Sequence, residues 1–524
     1  MILRLVPILV LLAGAGYGQV TVPTAQYNNL RTAANLSETV LTTSNVNSAG
    51  FGKLFSRAVD AEVYAHPLIV PNVTVPGKGT HNIVYVATGN NTVYAFDADD
   101  PAQSAPLWSR NLGPSVLTGG GDVQPNWGIL GTPVIYNGAI YLVAVVASTP
   151  ADWTLYMCAL DITTGLDKYA PPTQILFPKQ GAMVPATPNT IQRAALLAAN
   201  DTIYVGFANF DAPDSHPNQT GFVYSYSPVD ITRPTHIFQP APNAGSCAGL
   251  TWRGGDVWQA GRGLAADSSG NIFLSTGNGF YDGASNFANT LLKLSPDLAL
   301  KDWFTPANWL ALCQGDLDLG ASGPILVPSL NYVIAGGKEG VLYVLNQSHL
   351  GGLQLRSSAG PVTQFHATNG CHLVNCGQSL SMAYWDRSPN PMLFVWDLQD
   401  VLRAFTFNGP RLASTPSAIG SLAPNYTGGV SISANGSAPG SGILWATTST
   451  TATEETIAVG TLHAYDASNI GNELWNSDMN AARDALGDFV KFSIPVVANG
   501  KVYVITQSNQ LQVYGLLPAR TPAQ

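Results

Sequence analysis

Charge is what this 524-residue chain has least of: Asp, Glu, Lys and Arg make up 10% of it, against roughly 25% in an ordinary soluble domain. That scarcity excludes a coiled coil and a charged disordered chain. Basic residues are outnumbered by acidic ones, 23 to 32, for a net charge of −9, so an electrostatic grip on nucleic acid is not expected. No apolar run reaches the roughly 20 residues of a membrane span. Only five cysteines occur, with no Cys-x-x-Cys pair, which leaves a zinc ribbon or a thioredoxin-like centre without support. A Gly-x-Ser-x-Gly elbow and a phosphate-binding Gly-Lys-Ser/Thr loop are missing too, so nucleophilic hydrolysis and nucleoside triphosphate binding have no motif to rest on.

What is abundant is turn chemistry between apolar runs. Gly 52 and Pro 36 amount to about 17% of the chain, above the ordinary 12% and below the composition of a disordered one. Short runs alternate β-branched or aromatic residues with small ones, the period-2 pattern of a half-buried strand. Val84-Tyr85-Val86-Ala87, a Gly-Asn turn, then Val93-Tyr94-Ala95-Phe96-Asp97 is one clear copy; Val502-Tyr503-Val504-Ile505 followed by Leu511-Gln512-Val513-Tyr514 is another. Units open near His66, Thr132, Arg193, Gly261, Gly320, Ser379, Gly429 and Ser493, at spacings of 50–68 residues. Eight such units without helical periodicity predict an all-β fold: a single eight-bladed β-propeller of four-stranded antiparallel blades over residues 51–518. The last unit supplies only three strand-like runs. The run Lys53–Val59 is therefore expected to close the ring as an N-terminal outer strand, since an open ring would leave a free edge. Residues 19–50, rich in Thr, Asn and Ser, are expected as an extended arm across the outside, and 519–524 as a tail.

Residues 1–18 read as a signal peptide: Arg4, the apolar run Leu5–Leu12, then small residues before Gly18. A secreted or periplasmic protein without a transmembrane span is expected, and the cysteines fit an oxidising compartment. Cys371 and Cys376 are close enough to staple one loop, Cys247 and Cys313 form a possible second pair, and Cys158 sits in an apolar run as a buried thiol.

Ala159-Leu160-Asp161 with Thr164-Gly165 and Tyr169, and Ala464-Tyr465-Asp466 with Gly471 and Trp475, carry a family resemblance. They resemble the tryptophan-docking repeat of the quinoprotein alcohol dehydrogenase-like superfamily, as does Ala95-Phe96-Asp97 with Trp108. The stretches Phe51–Phe55, Pro71–Asn82, Asp316–Gly320 and Gly337–Gly340 are similar to exported bacterial pyrroloquinoline quinone (PQQ)-like propeller repeat proteins. This resemblance implies a propeller fold; it attaches no particular reaction. Dehydrogenases of this fold use adjacent cysteines, a stacking Trp, a calcium held by Glu and Asn, and an Asp base, and no adjacent cysteines occur here.

Loops entering the inner strands and turns between second and third strands gather at one mouth of a propeller. That mapping nominates His66, Trp127, Arg193, Trp258, Gln259, Asp316, Asp318, Lys338, Glu339, Ser433 and Lys491 as ligand-binding candidates. Arg193, Lys338 and Lys491 suit an anionic group. Asp316 and Asp318 share a face of an extended segment and could share a cation, or simply accept backbone amides at a turn. No catalytic residue is nominated. The leading expectation is a monomeric, non-catalytic propeller that binds a small molecule or a protein. The alternative is a PQQ- and calcium-dependent dehydrogenase oxidising an alcohol or sugar, and a third is a carbohydrate-active enzyme using some of the eleven Trp.

Overall fold

The computed structural model describes residues 19–117, 123–149, 152–186, 190–209, 220–247, 249–354, 362–368, 380–453 and 456–518. The expected signal peptide, the tail and the Cys371/Cys376 pair lie outside the described residues.

Eight antiparallel sheets of four main strands follow one another along the chain. The first blade is Leu68–Val75, Gly79–Ala87, Thr92–Asp97 and Trp108–Asn111, from the channel outward. The inner strands of the eight blades begin at Leu68, Val134, Leu197, Ala265, Ile325, Ser381, Tyr426 and Val496, within five residues of the positions the repeat spacing predicts. Helix is confined to short pieces such as Trp309–Gln314 and Ala481–Asp484. The strand Phe51–Ala58 pairs antiparallel with Gln510–Leu516 and becomes the outer strand of the last blade. The ring is thus closed by the N-terminal side of the chain, as the missing fourth run requires. No helix among the described residues is long and apolar enough to cross a membrane.

Much of the core lies in the seams between neighbouring blades. Ile83, Tyr85, Leu142 and Leu160 fill the seam between the first and second blades, each contributing roughly 1.5–3 kcal/mol by leaving water. The docking repeat explains how a seam is aligned. The Trp108 indole N–H donates to the Ile162 carbonyl of the next blade at 3.0 Å, and its ring lies over Gly165. A β-carbon there would sit 2.5 Å from the indole, and φ at Gly165 is +71°, so glycine is required twice over.

The expected outer arm is not outside. Residues 22–35 enter the channel and bond to the inner strand, or to the residue just before it, in every blade. Val22 exchanges hydrogen bonds with Ile69 in the first blade. The Pro23, Asn29, Leu30, Thr32 and Ala33 carbonyls accept the amides of Ile135, Ala266, Leu326, Tyr384 and Ile432 at 2.7–2.9 Å. Asn29 Nδ2 donates to the Ala198 carbonyl at 2.8 Å, and the Val497 amide donates to the Tyr27 hydroxyl at 2.8 Å. An innermost strand is an edge, and its channel-facing amides need acceptors. The backbone of the segment supplies most of those acceptors, and its polar side chains add single bonds from Tyr27 and Asn29. To face eight directions in so few residues the segment winds tightly: Gln26, Tyr27, Arg31 and Ala33 all take positive φ, between 56° and 73°. Each such residue costs on the order of 1 kcal/mol, which the surrounding bonds must offset.

Candidate functional site

Between this plug and the mouth lies a waist, where buried polar residues of the loops entering the inner strands meet Arg31 of the plug. Three buried arginines meet there. Arg31 rises from the plug and is completely buried; its guanidinium donates to the carbonyls of Leu264 (2.7 Å), Ala25 (2.7 Å) and Leu196 (3.1 Å) and to the Thr24 hydroxyl (2.7 Å). Arg193 is also fully buried and donates to the Leu130 carbonyl at 3.2 Å. Arg262 donates through Nη2 to Ser381 Oγ and the Met382 carbonyl, both at 3.0 Å. The sequence Gly261-Arg262-Gly263 makes this crowding possible, because Arg193 lies against the α-carbon of Gly261 and Arg31 against that of Gly263. Burial pulls Arg31 down to about 9 and Arg262 to about 10, so both stay charged at neutral pH. Neither forms an ion pair with a carboxylate among the described residues.

His66 completes the waist. It is 3% exposed, and its backbone amide is held by Thr132 Oγ1 at 2.9 Å. Neither ring nitrogen has a hydrogen-bond partner of good geometry among the described residues, although the Phe492 carbonyl lies close enough to favour the protonated ring. Burial, then the charges of Arg193, Arg262 and Arg31, push the imidazole down to about 3. The unfolded chain, with its histidine near 6.5, therefore takes up the proton first. The contribution of neutral His66 to stability is full above pH 6.5 and is lost as pH falls from there towards 3. Asp256, pushed up to about 7 by burial, works in the opposite sense, so the comparison must be against a variant. His66→Gln is expected to lose about 2 kcal/mol less stability than the parent between pH 7 and pH 5, measured by denaturant unfolding at both pH values.

At the rim the acids serve as stitches between blades. Asp256 Oδ1 accepts the Asn209 amide (2.9 Å) and Asp318 Oδ1 the Asn278 amide (2.7 Å), each from the preceding blade. The backbone carbonyls of Asp256 and Asp318 accept the Gly277 and Lys338 amides of their own blades. Asp316 and Asp318 do converge, but on the Lys338 ammonium, at 3.0 and 2.7 Å. Burial opposes that charge, yet the two carboxylates hold Lys338 above its ordinary value. A protein cation thus occupies the place the sequence reading gave to a metal, and no cluster of three metal-ligating side chains exists among the described residues.

Of the other nominated residues, Gln259 is buried and accepts the Ser275 amide through Oε1 at 3.0 Å. Trp127 packs edge-on against Trp153 in the core, and Trp258 is half-buried against the same cluster. Glu339 does not pair with Lys338; it accepts from Asn308 Nδ2 at 2.7 Å. The Lys491 ammonium lies 4.4 Å from the Tyr426 ring centroid. Ser433 was misplaced: it ends the inner strand Tyr426–Ser433, pairs with Asn35 of the plug and accepts from Trp445 at the opposite end of the channel. Arg31, Arg262 and Asp256 were not nominated. The signal for Arg262 was an arginine flanked by two glycines at a strand entry; Arg31 carried none. Away from the waist, Cys247 and Cys313 form a disulfide with α-carbons 6.3 Å apart, and Cys158 is a buried free thiol.

A cavity of about 420 Å³ opens between the plug and the exit ends of the fifth and sixth inner strands, lined by Tyr27, Asn35, Leu326 and Tyr384, but the waist itself offers little room to the tricyclic quinone used by dehydrogenases of this fold. The cavity between His66 and Arg262 measures about 10 Å³ for the centre of a water-sized sphere, about enough for one water. Neither nominated Trp stands over it. Among the described residues, the waist does not fit that cofactor.

No protein-family model and no curated protein matches the sequence. Among solved structures, the quinohemoprotein alcohol dehydrogenase from Comamonas testosteroni is similar at a TM-score of 0.61 and 13% identity, over 97% of this chain and 83% of that one. Saccharomyces cerevisiae Sqt1 matches at a TM-score of 0.48 and 12% identity, over 89% and 99% of the two chains. The first likeness is one of fold; the second is too loose to argue from.

Proposed function

We propose that this chain is an exported, non-catalytic propeller that binds a polar small molecule or a protein partner at its loop-lined mouth. The observation that carries the reading is the plug: residues 22–35 tie into every blade, so the loop-lined mouth is a blind cup, separated by the plug from a cavity of about 420 Å³ at the opposite end. Rim charges already engaged with one another, as Asp316, Asp318 and Lys338 are, suit a preformed docking face better than a reacting centre. Export is supported by the leader-like residues 1–18 and by the Cys247–Cys313 bond, a feature of oxidising compartments.

A quinone-dependent alcohol oxidation is the second reading, favoured by the fold likeness. A superfold hosts many activities, and the Lys338 ammonium already engages both carboxylates that the sequence offered to a cation. Added PQQ with calcium is expected to leave the melting temperature unchanged and to produce no dye-linked oxidation of alcohols or sugars. Saturable, stoichiometric quinone binding with calcium-dependent turnover would replace the first reading with the second.

A further inference from the structure

The waist lies beneath the mouth, and its chemistry does not depend on what docks above. Two of its charges lack a counter-charge among the described residues. Arg31 and Arg262 are both buried, and neither lies within ion-pair distance of a carboxylate among the described residues. Arg31 is fully engaged with carbonyl and hydroxyl oxygens. Arg262 is not: it is 6% exposed, and its Nη1 has no hydrogen-bond partner among the described residues. That group and the His66 ring, neither of whose nitrogens makes a hydrogen bond of good geometry among the described residues although the Phe492 carbonyl is near, line the same small cavity, together with Ser381, Gly428 and Phe492. A buried, uncompensated guanidinium costs several kcal/mol, and a buried N–H without an acceptor adds to that.

We propose that the waist is a binding site for one small monoanion, either a free ion or the carboxylate head of a larger ligand, held by Arg262 Nη1 and the His66 ring. Water could accept those hydrogen bonds but would leave the charge uncompensated; an anion does both. Size selects among anions. A cavity of about 10 Å³ is close to the minimum for one water, so chloride or the end of a carboxylate is the right scale and a tetrahedral dianion is too large. The other end of the cup is closed by the plug, so the anion enters from the mouth. His66 is the built-in reporter: whichever tautomer is present, one ring N–H is available as donor, and an anion beside it offsets the arginine charges and favours the imidazolium.

The test uses the full-length protein dialysed free of small anions. Chloride, formate, acetate and sulfate are titrated at constant ionic strength. Melting temperature and the imidazole ¹⁵N resonances of His66 are followed in the parent and in Arg262→Gln. Expected is a saturable rise in melting temperature with chloride or formate, a concurrent His66 shift, and at least tenfold weaker binding in Arg262→Gln. Chloride acting alone identifies a free ion; formate and acetate acting without chloride identify a carboxylate head. Equal responses in parent and variant, a response to sulfate matching that to formate, or no His66 shift at 100 mM of any monoanion would overturn the proposal. The His66 resonance is read in the parent, so that arm stands even if the variant does not fold.

Discussion

Replacing Arg31 by alanine should lower the stability of the folded protein by about 3–5 kcal/mol through lost hydrogen bonds and a core void, read as a shift of the denaturant midpoint at constant slope. The side chain is completely buried. Its removal strips donors from the carbonyls of Leu264, Leu196 and Ala25. It also empties the space against Gly263, and a core void adds its own cost. Arg31→Lys should fall between: one ammonium can satisfy some of the acceptors, but a point charge cannot span both inner strands as the planar fork does. A loss below 1 kcal/mol for the alanine variant would mean that the plug is not pinned by this residue.

A second large effect is expected at the closing strand. Deleting residues 19–58 should yield a protein that aggregates or fails to fold, whereas deleting 19–36 and keeping Phe51–Ala58 should yield a soluble, monomeric and less stable one. The first deletion bares the Gln510–Leu516 edge, five of whose seven residues are buried, and removes Phe51, fully buried between Trp445 and Trp475 with ring centroids 5.4 and 4.9 Å away. An exposed, long, apolar edge is a template for pairing with another chain. The second deletion opens the channel but leaves the ring intact. Size-exclusion chromatography with light scattering separates the outcomes; a monodisperse 19–58 deletion as stable as the parent would show that the ring needs no fourth strand there.

The two ends of the chain were unequally legible in the sequence. Strand alternation, turn residues and a deficit of one run in the last unit were enough to count blades and to find the closing strand near Lys53–Val59, because each is local. The plug was not legible, since Thr24, Asn28 and Asn29 look solvated by composition, and only the ring of inner strands draws their segment into the channel. Asp316, Asp318 and Lys338 were each singled out, but their mutual ion pair joins two loops that only the blade brings together. His66 and Arg193 were placed at the mouth and in fact lie one level deeper, at the waist. Arg262 escaped because a basic residue between glycines reads as a turn, while here the glycines exist to let two other arginines through.

The plug also sets an order of events. Val22 to Ala33 bond to partners as near in sequence as Ile69 and as distant as Val497, so the segment cannot be seated until all eight inner strands exist. Synthesis at roughly 5–20 residues per second would put the last of those partners about 20 to 90 seconds behind the first. Through that interval Arg31 has no carbonyl cage, and each newly made blade carries an unsatisfied inner edge. The earliest residues of the fold to emerge are therefore among the last to be placed, and the final docking step is a closure across more than four hundred residues, the kind of contact that slows folding most. Refolding from denaturant, where all partners are present at once, removes the wait but not the distance.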